Sequence, residues 1–113
     1  MNPKIVLGIS EDVIIKGTNG ERKVRGRIDT GAKSSSIDAK LAEELGIKAS
    51  SDTRWVRSSH GTTVRPIAEV RLVLSGQELT SEFTIIDRST MRYPVLIGRR
   101  ALEERFLVDP SKK

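Results

Sequence analysis

The chain has 113 residues, no cysteine, one histidine and a formal net charge of +5. A domain of this length buries roughly 65% of the surface its unfolded chain exposes, so one domain with one modest core is expected over residues 1–113. Without thiols there are no disulfides and no cysteine-based zinc sites. The short run Ile5-Val6-Leu7, broken by Gly8, is too brief for a signal-peptide core or a membrane span, so a soluble cytoplasmic protein without membrane contact is expected.

In chain order, the apolar run Val13-Ile14-Ile15 is followed by Asn19-Gly20, a strong hairpin-turn signal. Val24 and Ile28 alternate with Lys23, Arg25 and Arg27, the pattern of a half-buried strand that runs into Asp29-Thr30-Gly31. A short helix is expected over 38–45. Leu41, Ala42 and Leu45 form its apolar stripe, Asp38 can cap its start, and Gly46 can end it in a left-handed conformation.

The polar stretch from Arg57 to Thr63, centred on His60-Gly61 and flanked by Trp55-Val56 and Val64, reads as an exposed hairpin tip. Ala68, Val70, Leu72 and Leu74 then fall on one strand face, with Glu69 and Arg71 on the other. Ser75-Gly76-Gln77 turns the chain, and Leu79, Phe83 and Ile85 continue the same period, with Ser81 its weak member. Val95-Leu96-Ile97 before Gly98 suits a buried strand with another segment crossing close behind it. A second short helix is expected over 99–104, and Phe106-Leu107-Val108 closes the chain as a strand. Many short strands with two small helices predict a mostly β, barrel-like domain.

The basic residues are scattered, and Trp55, Phe83, Tyr93 and Phe106 are too few to stack on bases, so no nucleic-acid partner is expected. An acidic substrate is the other meaning of the charge. The tripeptide Asp29-Thr30-Gly31 is weak evidence by itself, because an Asx turn uses the same residues. Its surroundings strengthen it. These are Ile28-Asp29-Thr30-Gly31-Ala32-Lys33-Ser34-Ser35-Ser36, then Arg65-Pro66 after the hairpin tip. Met91-Arg92-Tyr93-Pro94-Val95-Leu96-Ile97-Gly98-Arg99-Arg100-Ala101-Leu102 follows, and Arg105-Phe106-Leu107-Val108-Asp109-Pro110 completes the set.

In this order and spacing the features resemble the retroviral-type, retropepsin-like aspartic proteases. They are closer still to a bacterial and archaeal family commonly labelled an ATP-dependent zinc protease although its fold is retropepsin-like. The resemblance covers nearly the whole chain. It implies a closed β-barrel with two short helices, one lobe per chain, and a homodimer that places two Asp29 carboxylates together.

Two carboxylates about 3 Å apart share one proton, so one can act as base and the other as acid towards an attacking water. This chain carries a single Asp-Thr-Gly, so a second copy must supply the other. The resemblance gives Asp29, Thr30 and Gly31 catalytic roles. Thr30 would hydrogen-bond across to its twin, and Gly31 would allow close approach of backbone and substrate. Ala32, Lys33, His60, Gly61, Thr62, Arg65 and Ile97 would bind the peptide, with His60-Gly61 on a flap. No metal or other cofactor is expected.

One departure stands out. Retroviral relatives carry an acid where this chain has Lys33, and that acid pairs with the arginine that is Arg99 here. Lys33 would repel Arg99, leaving Asp87, Glu104 or Asp109 as replacement partners. Lys33, Arg57, Arg65, Arg92 and Arg99 near the motifs suggest an acidic, glutamate-rich substrate. Some members of the resembled family are associated with enzymes that add glutamate tails.

Two alternatives remain. A zinc-dependent protease would need about three ligands rich in histidine, and the chain offers only His60, with no His-Glu-x-x-His motif. A phosphate-binding loop of the Gly-x-x-x-x-Gly-Lys-Ser/Thr type is also missing, so ATP dependence has no support. A non-catalytic binding module could keep Asp29-Thr30-Gly31 as a structural turn.

Overall fold

The computed structural model describes residues 3–59 and 61–112. The chain runs β1 (Ile5–Leu7), β2 (Ser10–Gly17), β3 (Gly20–Ile28), β4 (Ser35–Asp38), α1 (Ala39–Glu44), β5 (Thr53–Ser58) and β6 (Gly61–Leu74). It continues through β7 (Gln77–Ile86), β8 (Val95–Ile97), α2 (Arg99–Leu102) and β9 (Phe106–Val108). The domain is mostly β with two short helices, as expected. No helix among the described residues is long and apolar enough to cross a membrane.

The strands are hydrogen-bonded in the order β2-β3-β8-β4-β7-β6, and β6 pairs again with β2, closing a six-stranded barrel. Closure leaves these strands without free edges. The 14-residue β6 makes this possible by doing two jobs. Its second half pairs with β7 and β2 in the barrel wall, and its first half pairs with β5 in a hairpin that projects beyond the barrel.

Period-two alternation fills the interior. Ala68, Val70, Leu72 and Leu74 of β6 point into the core with Val13, Ile15, Ile28, Ile37, Phe83, Val95 and Ile97, while Glu69 and Arg71 are exposed. Burial of this apolar face, at about 25 cal/mol per Å² removed from water, drives closure. A separate parallel pair, β1 with β9, joins the two ends of the chain.

The local expectations hold with two adjustments. Asp38 caps α1 by accepting from the Leu41 N–H (3.3 Å), and Gly46 follows the helix at φ +70°, the left-handed stop. The first hairpin turns on Thr18 and Asn19, one residue earlier than Asn19-Gly20 suggests, with Gly17 paired to Gly20. The reason is tertiary: the Asn19 N–H is held by the Leu45 carbonyl at the end of α1. Helix α2 is a single turn, shorter than 99–104, because the chain turns at Leu102–Arg105 to return Phe106 to the core.

The short strand β8 is parallel to β3 on one side and antiparallel to β4 on the other. A strand from the C-terminal third therefore lies between two strands that are adjacent in sequence. The connection 29–34 must cross over the end of β8, and the candidate site sits at that crossing.

Candidate active site

Asp29 extends β3 by one residue: its N–H donates to the Ile97 carbonyl (2.9 Å), continuing the Ile28–Ile97 register. Its carboxylate then folds over its own turn, Oδ1 accepting from the Gly31 N–H at 2.9 Å, and the Ala32 N–H returns to the Asp29 carbonyl at 3.3 Å. The loop that follows is fastened by three consecutive residues of the second motif. The Gly98 N–H donates to Ser35 Oγ (3.0 Å), the Arg99 N–H to the Ala32 carbonyl (2.8 Å) and the Arg100 N–H to the Lys33 carbonyl (3.2 Å). The start of α2 thus finds its acceptors in the Asp29 loop, which satisfies N–H groups that a helix cannot satisfy itself.

Arg99 also donates through Nη1 to the Thr30 carbonyl at 3.1 Å. It forms no ion pair with Asp87, Glu104 or Asp109 within the chain. Asp87 and Asp109 instead accept from Ser89 and Ser111 in their own turns, hydrogen bonds that hold both carboxyls below the usual range. In place of the acidic partner expected from the sequence, Arg99 braces a backbone carbonyl.

A cavity of about 1140 Å³ opens over this loop, between it and the β5–β6 hairpin. Of the residues named from the sequence, Asp29, Gly31, Ala32, Lys33 and Arg65 line it. Thr30 is exposed outside the lining. Gly61 and Thr62 sit at the start of β6, also outside the lining, with Gly61 at φ +106°. His60 lies outside the described residues. Ile97 needs correction: it is 0% exposed and belongs to the core, and Leu96 faces the cavity instead. Strand alternation allows only one of the two neighbours to face out.

The electrostatics are lopsided. Asp29 is the sole carboxylate among the described lining residues, against nine arginines and lysines between Arg27 and Arg100. Arg27 and Arg88 are among those the sequence did not single out as candidates. Arg27 Nε lies 3.7 Å from Asp29 Oδ2. The signal for it was there, since β3 alternation puts residues 27 and 29 on the same face. Arg88 is buried, and nothing local in the sequence marks it. Desolvation lowers the guanidinium pKa of Arg65, and of Arg88 with help from the like charge of Arg65.

Over the cavity, Trp55 is 74% exposed and stands opposite Val64 in the β5–β6 register, an apolar pair with little beneath it. Among the described residues no group of three or more His, Cys, Asp or Glu side chains converges as a metal site would.

Comparison with known proteins gives three kinds of similarity. Residues 40–113, about two thirds of the chain, match the RimB-like family, described as retropepsin-like aspartic endopeptidase RimB. The Asp29-Thr30-Gly31 loop precedes that span. Nearly the full chain aligns with probable alpha-L-glutamate ligases of Parasynechococcus marenigrum strain WH8102 (29% identity, 98% of this chain) and Shewanella pealeana strain ATCC 700345 / ANG-SQ1 (26%, 96%). The chain spans 29% of the length of each of these relatives.

Among solved structures, a Legionella pneumophila protein of unknown function superposes with a TM-score of 0.69 at 20% identity, covering 98% of this chain and 97% of that one. The EIAV protease in complex with the inhibitor HBY-793 gives 0.67 at 15% identity, covering 92% and 93%. The simian foamy virus protease gives 0.57 at 18%, covering 80% and 88%. The fold is retropepsin-like.

Proposed function

Because the chain belongs to the RimB-like family of retropepsin-like aspartic endopeptidases, we propose that residues 1–113 act as one protease domain that becomes an enzyme on pairing with a second copy. The observation that carries this reading is the position of Asp29. It is the one carboxylate lining the cavity among the described residues, and it is held by a loop tied to Gly98, Arg99 and Arg100. One such loop gives half of an acid–base pair. A two-fold axis beside it would give the whole.

In the dimer the two Asp29 carboxylates share one proton. The ionised one takes a proton from water as the oxygen attacks the peptide carbonyl carbon. The protonated one donates to the carbonyl oxygen, and on collapse of the tetrahedral intermediate a proton passes to the leaving nitrogen. Thr30 would fix the two loops against each other, its carbonyl already held by Arg99. Ala32, Lys33 and Arg65 would contact the substrate, with Gly61 and Thr62 on the flap that closes over it. A peptide lying extended in the cleft would pair its backbone with the walls, as in strand addition.

The substrate we propose is acidic and rich in glutamate. The excess of cationic over anionic lining supports this. So does the likeness to proteins named as probable glutamate ligases, of which this chain resembles under a third.

The test is a subunit-mixing titration. Asp29→Asn keeps an oxygen to accept from the Gly31 N–H, so the variant should fold and pair. Mixed with wild type and allowed to exchange, it should lower cleavage of a glutamate-rich peptide in proportion to the square of the wild-type fraction. A linear fall would show that one subunit suffices and would reject the shared dyad. Cleavage that disappears with a strong chelator and survives Asp29→Asn would favour the zinc alternative.

A further inference from the structure

Arg88 lines the cavity yet is only 8% exposed. Its Nε donates to the Tyr93 carbonyl (2.9 Å) and its Nη1 to Ser36 Oγ (2.9 Å), and Ser36 is itself buried. Its Nη2 donates to no described atom. None of the ion pairs among the described residues includes Arg88. Asp38 accepts the Arg88 backbone N–H (2.7 Å) through Oδ1, while its Oδ2 caps α1 through the Leu41 N–H.

An arginine cannot shed its proton at any working pH. A full positive charge is therefore kept largely out of water without an ion-pair partner among the described residues, which is costly unless an anion arrives. The groups that act on it at longer range do not neutralise it. Desolvation acts first, Arg65 and Arg27 oppose the charge, and Asp38 and Asp29 favour it. Asp29 and Arg88 line the same cavity, so the guanidinium faces the space where the proposed chemistry would occur. A solvated lysine-like surface charge needs none of this arrangement. The planar fork is also prepared: two of its nitrogens are fixed by the protein, which orients the third.

We propose that Arg88 is the buried anchor of a carboxylate subsite, taking one side-chain carboxylate of the bound peptide through Nη2, with Arg65 beside it. This rests on the reading of the cavity as a peptide cleft. It goes beyond a generally basic surface by naming one position where an acidic side chain is required rather than merely tolerated. Ser36 and the Tyr93 carbonyl are positioning groups that hold the guanidinium.

The experiment compares two fluorogenic peptides of equal length, one with glutamates flanking the cleaved bond and one with glutamines, on wild type and Arg88→Gln. The ratio of kcat/KM between the glutamate and glutamine peptides should fall at least about tenfold in the variant, the scale on which truncating one partner of a desolvated charge pair acts. A second variant, Ser36→Asp, places a carboxylate where Nη1 now donates. It should lower the same ratio by occupying the guanidinium internally, and it decides the matter should Arg88→Gln not fold. An unchanged ratio would overturn the subsite, as would equal losses on both peptides that track a fall in Tm, the mark of a purely structural arginine. If wild type cleaves neither peptide, the protease reading fails, and calorimetric titration of the same peptides then tests the subsite alone. Preferential binding of the glutamate peptide, lost in Arg88→Gln, supports it. Equal binding of both peptides to wild type overturns it.

Discussion

Gly98 lies directly beneath Ser34: a Cβ on Gly98 would stand 2.6 Å from the Ser34 carbonyl oxygen, 2.7 Å from its carbonyl carbon and 2.9 Å from the Ala32 carbonyl oxygen. These are backbone atoms of the Asp29 loop, so no flexible side chain can yield. The Gly98 backbone is at φ −95°, ψ −179°, a conformation open to any residue. The need for glycine here is one of space alone.

Gly98→Ala should therefore lift the loop and cost about 1–3 kcal/mol or more of stability, as overpacking at a closely packed position does. Peptide cleavage should be lost even at temperatures where the variant is folded. Denaturant unfolding alongside a cleavage assay would check both. A variant with wild-type stability and activity would mean that the loop does not lie against Gly98.

Arg99→Lys keeps the charge but removes the fork that donates to the Thr30 carbonyl at 3.1 Å. One neutral-acceptor hydrogen bond is worth about 0.5–1.5 kcal/mol net, so the fold should survive. Activity should suffer far more, by up to about 10²-fold, because small misplacement of reacting groups is expensive. Unfolding curves close to wild type with a large fall in kcat are the expected pair of results. Unaltered kcat would show that Arg99 does not hold the catalytic loop.

Ionic strength offers a check on substrate charge that needs no mutation. With a cationic lining facing an anionic peptide, kcat/KM for a glutamate-rich substrate should fall steeply as salt rises from about 0.05 M to about 0.5 M, as the screening length shrinks. A matched glutamine peptide should change little. Parallel behaviour of the two peptides would remove the case for an acidic substrate.

Ser75 provides a control far from the cleft. The β6–β7 hairpin turns on Ser75 at φ +48° and Gly76 at φ +77°, both in the left-handed region that a tight hairpin of this type requires. Only one of the two is glycine. Ser75→Gly should relieve strain in the folded state, offset in part by the freer unfolded chain, for a net gain of about 0.5–1 kcal/mol. Thermal melts should move upward while peptide cleavage stays as it was. A lower Tm would mean that the serine side chain supports the turn in a way its geometry does not reveal.

Much of the domain was legible in the residues. The alternation of Ala68, Val70, Leu72 and Leu74 named its own core face, Asp38 and Gly46 marked the ends of α1, and Gly98 announced a close crossing before any segment was known to cross. These signals are local: periodicity, caps and the missing side chain of glycine act within a few residues and do not depend on the rest of the chain. Asp29-Thr30-Gly31 was legible as a turn leaving a strand, since Asp29 accepts from the Gly31 N–H, while its catalytic reading came from the resemblance of its surroundings and not from the turn. Which copy of the motif completes the chemistry is not a property of one chain.

The tertiary structure decided what depends on residues far apart in sequence. The second pairing of β6, to β2, closes the barrel. The insertion of β8 between β3 and β4 turns Ile97 inward and Leu96 towards the cavity. Arg99 grips a carbonyl rather than an acid. Above all, Arg88 lies buried beside the cavity, two of its guanidinium nitrogens held by Ser36 and Tyr93 and its charge without an ion-pair partner among the described residues. An arginine after a strand reads as a solvated surface residue from sequence. Burial is set by what the whole chain packs around it, and that sum over distant contacts cannot be read from its neighbours in sequence.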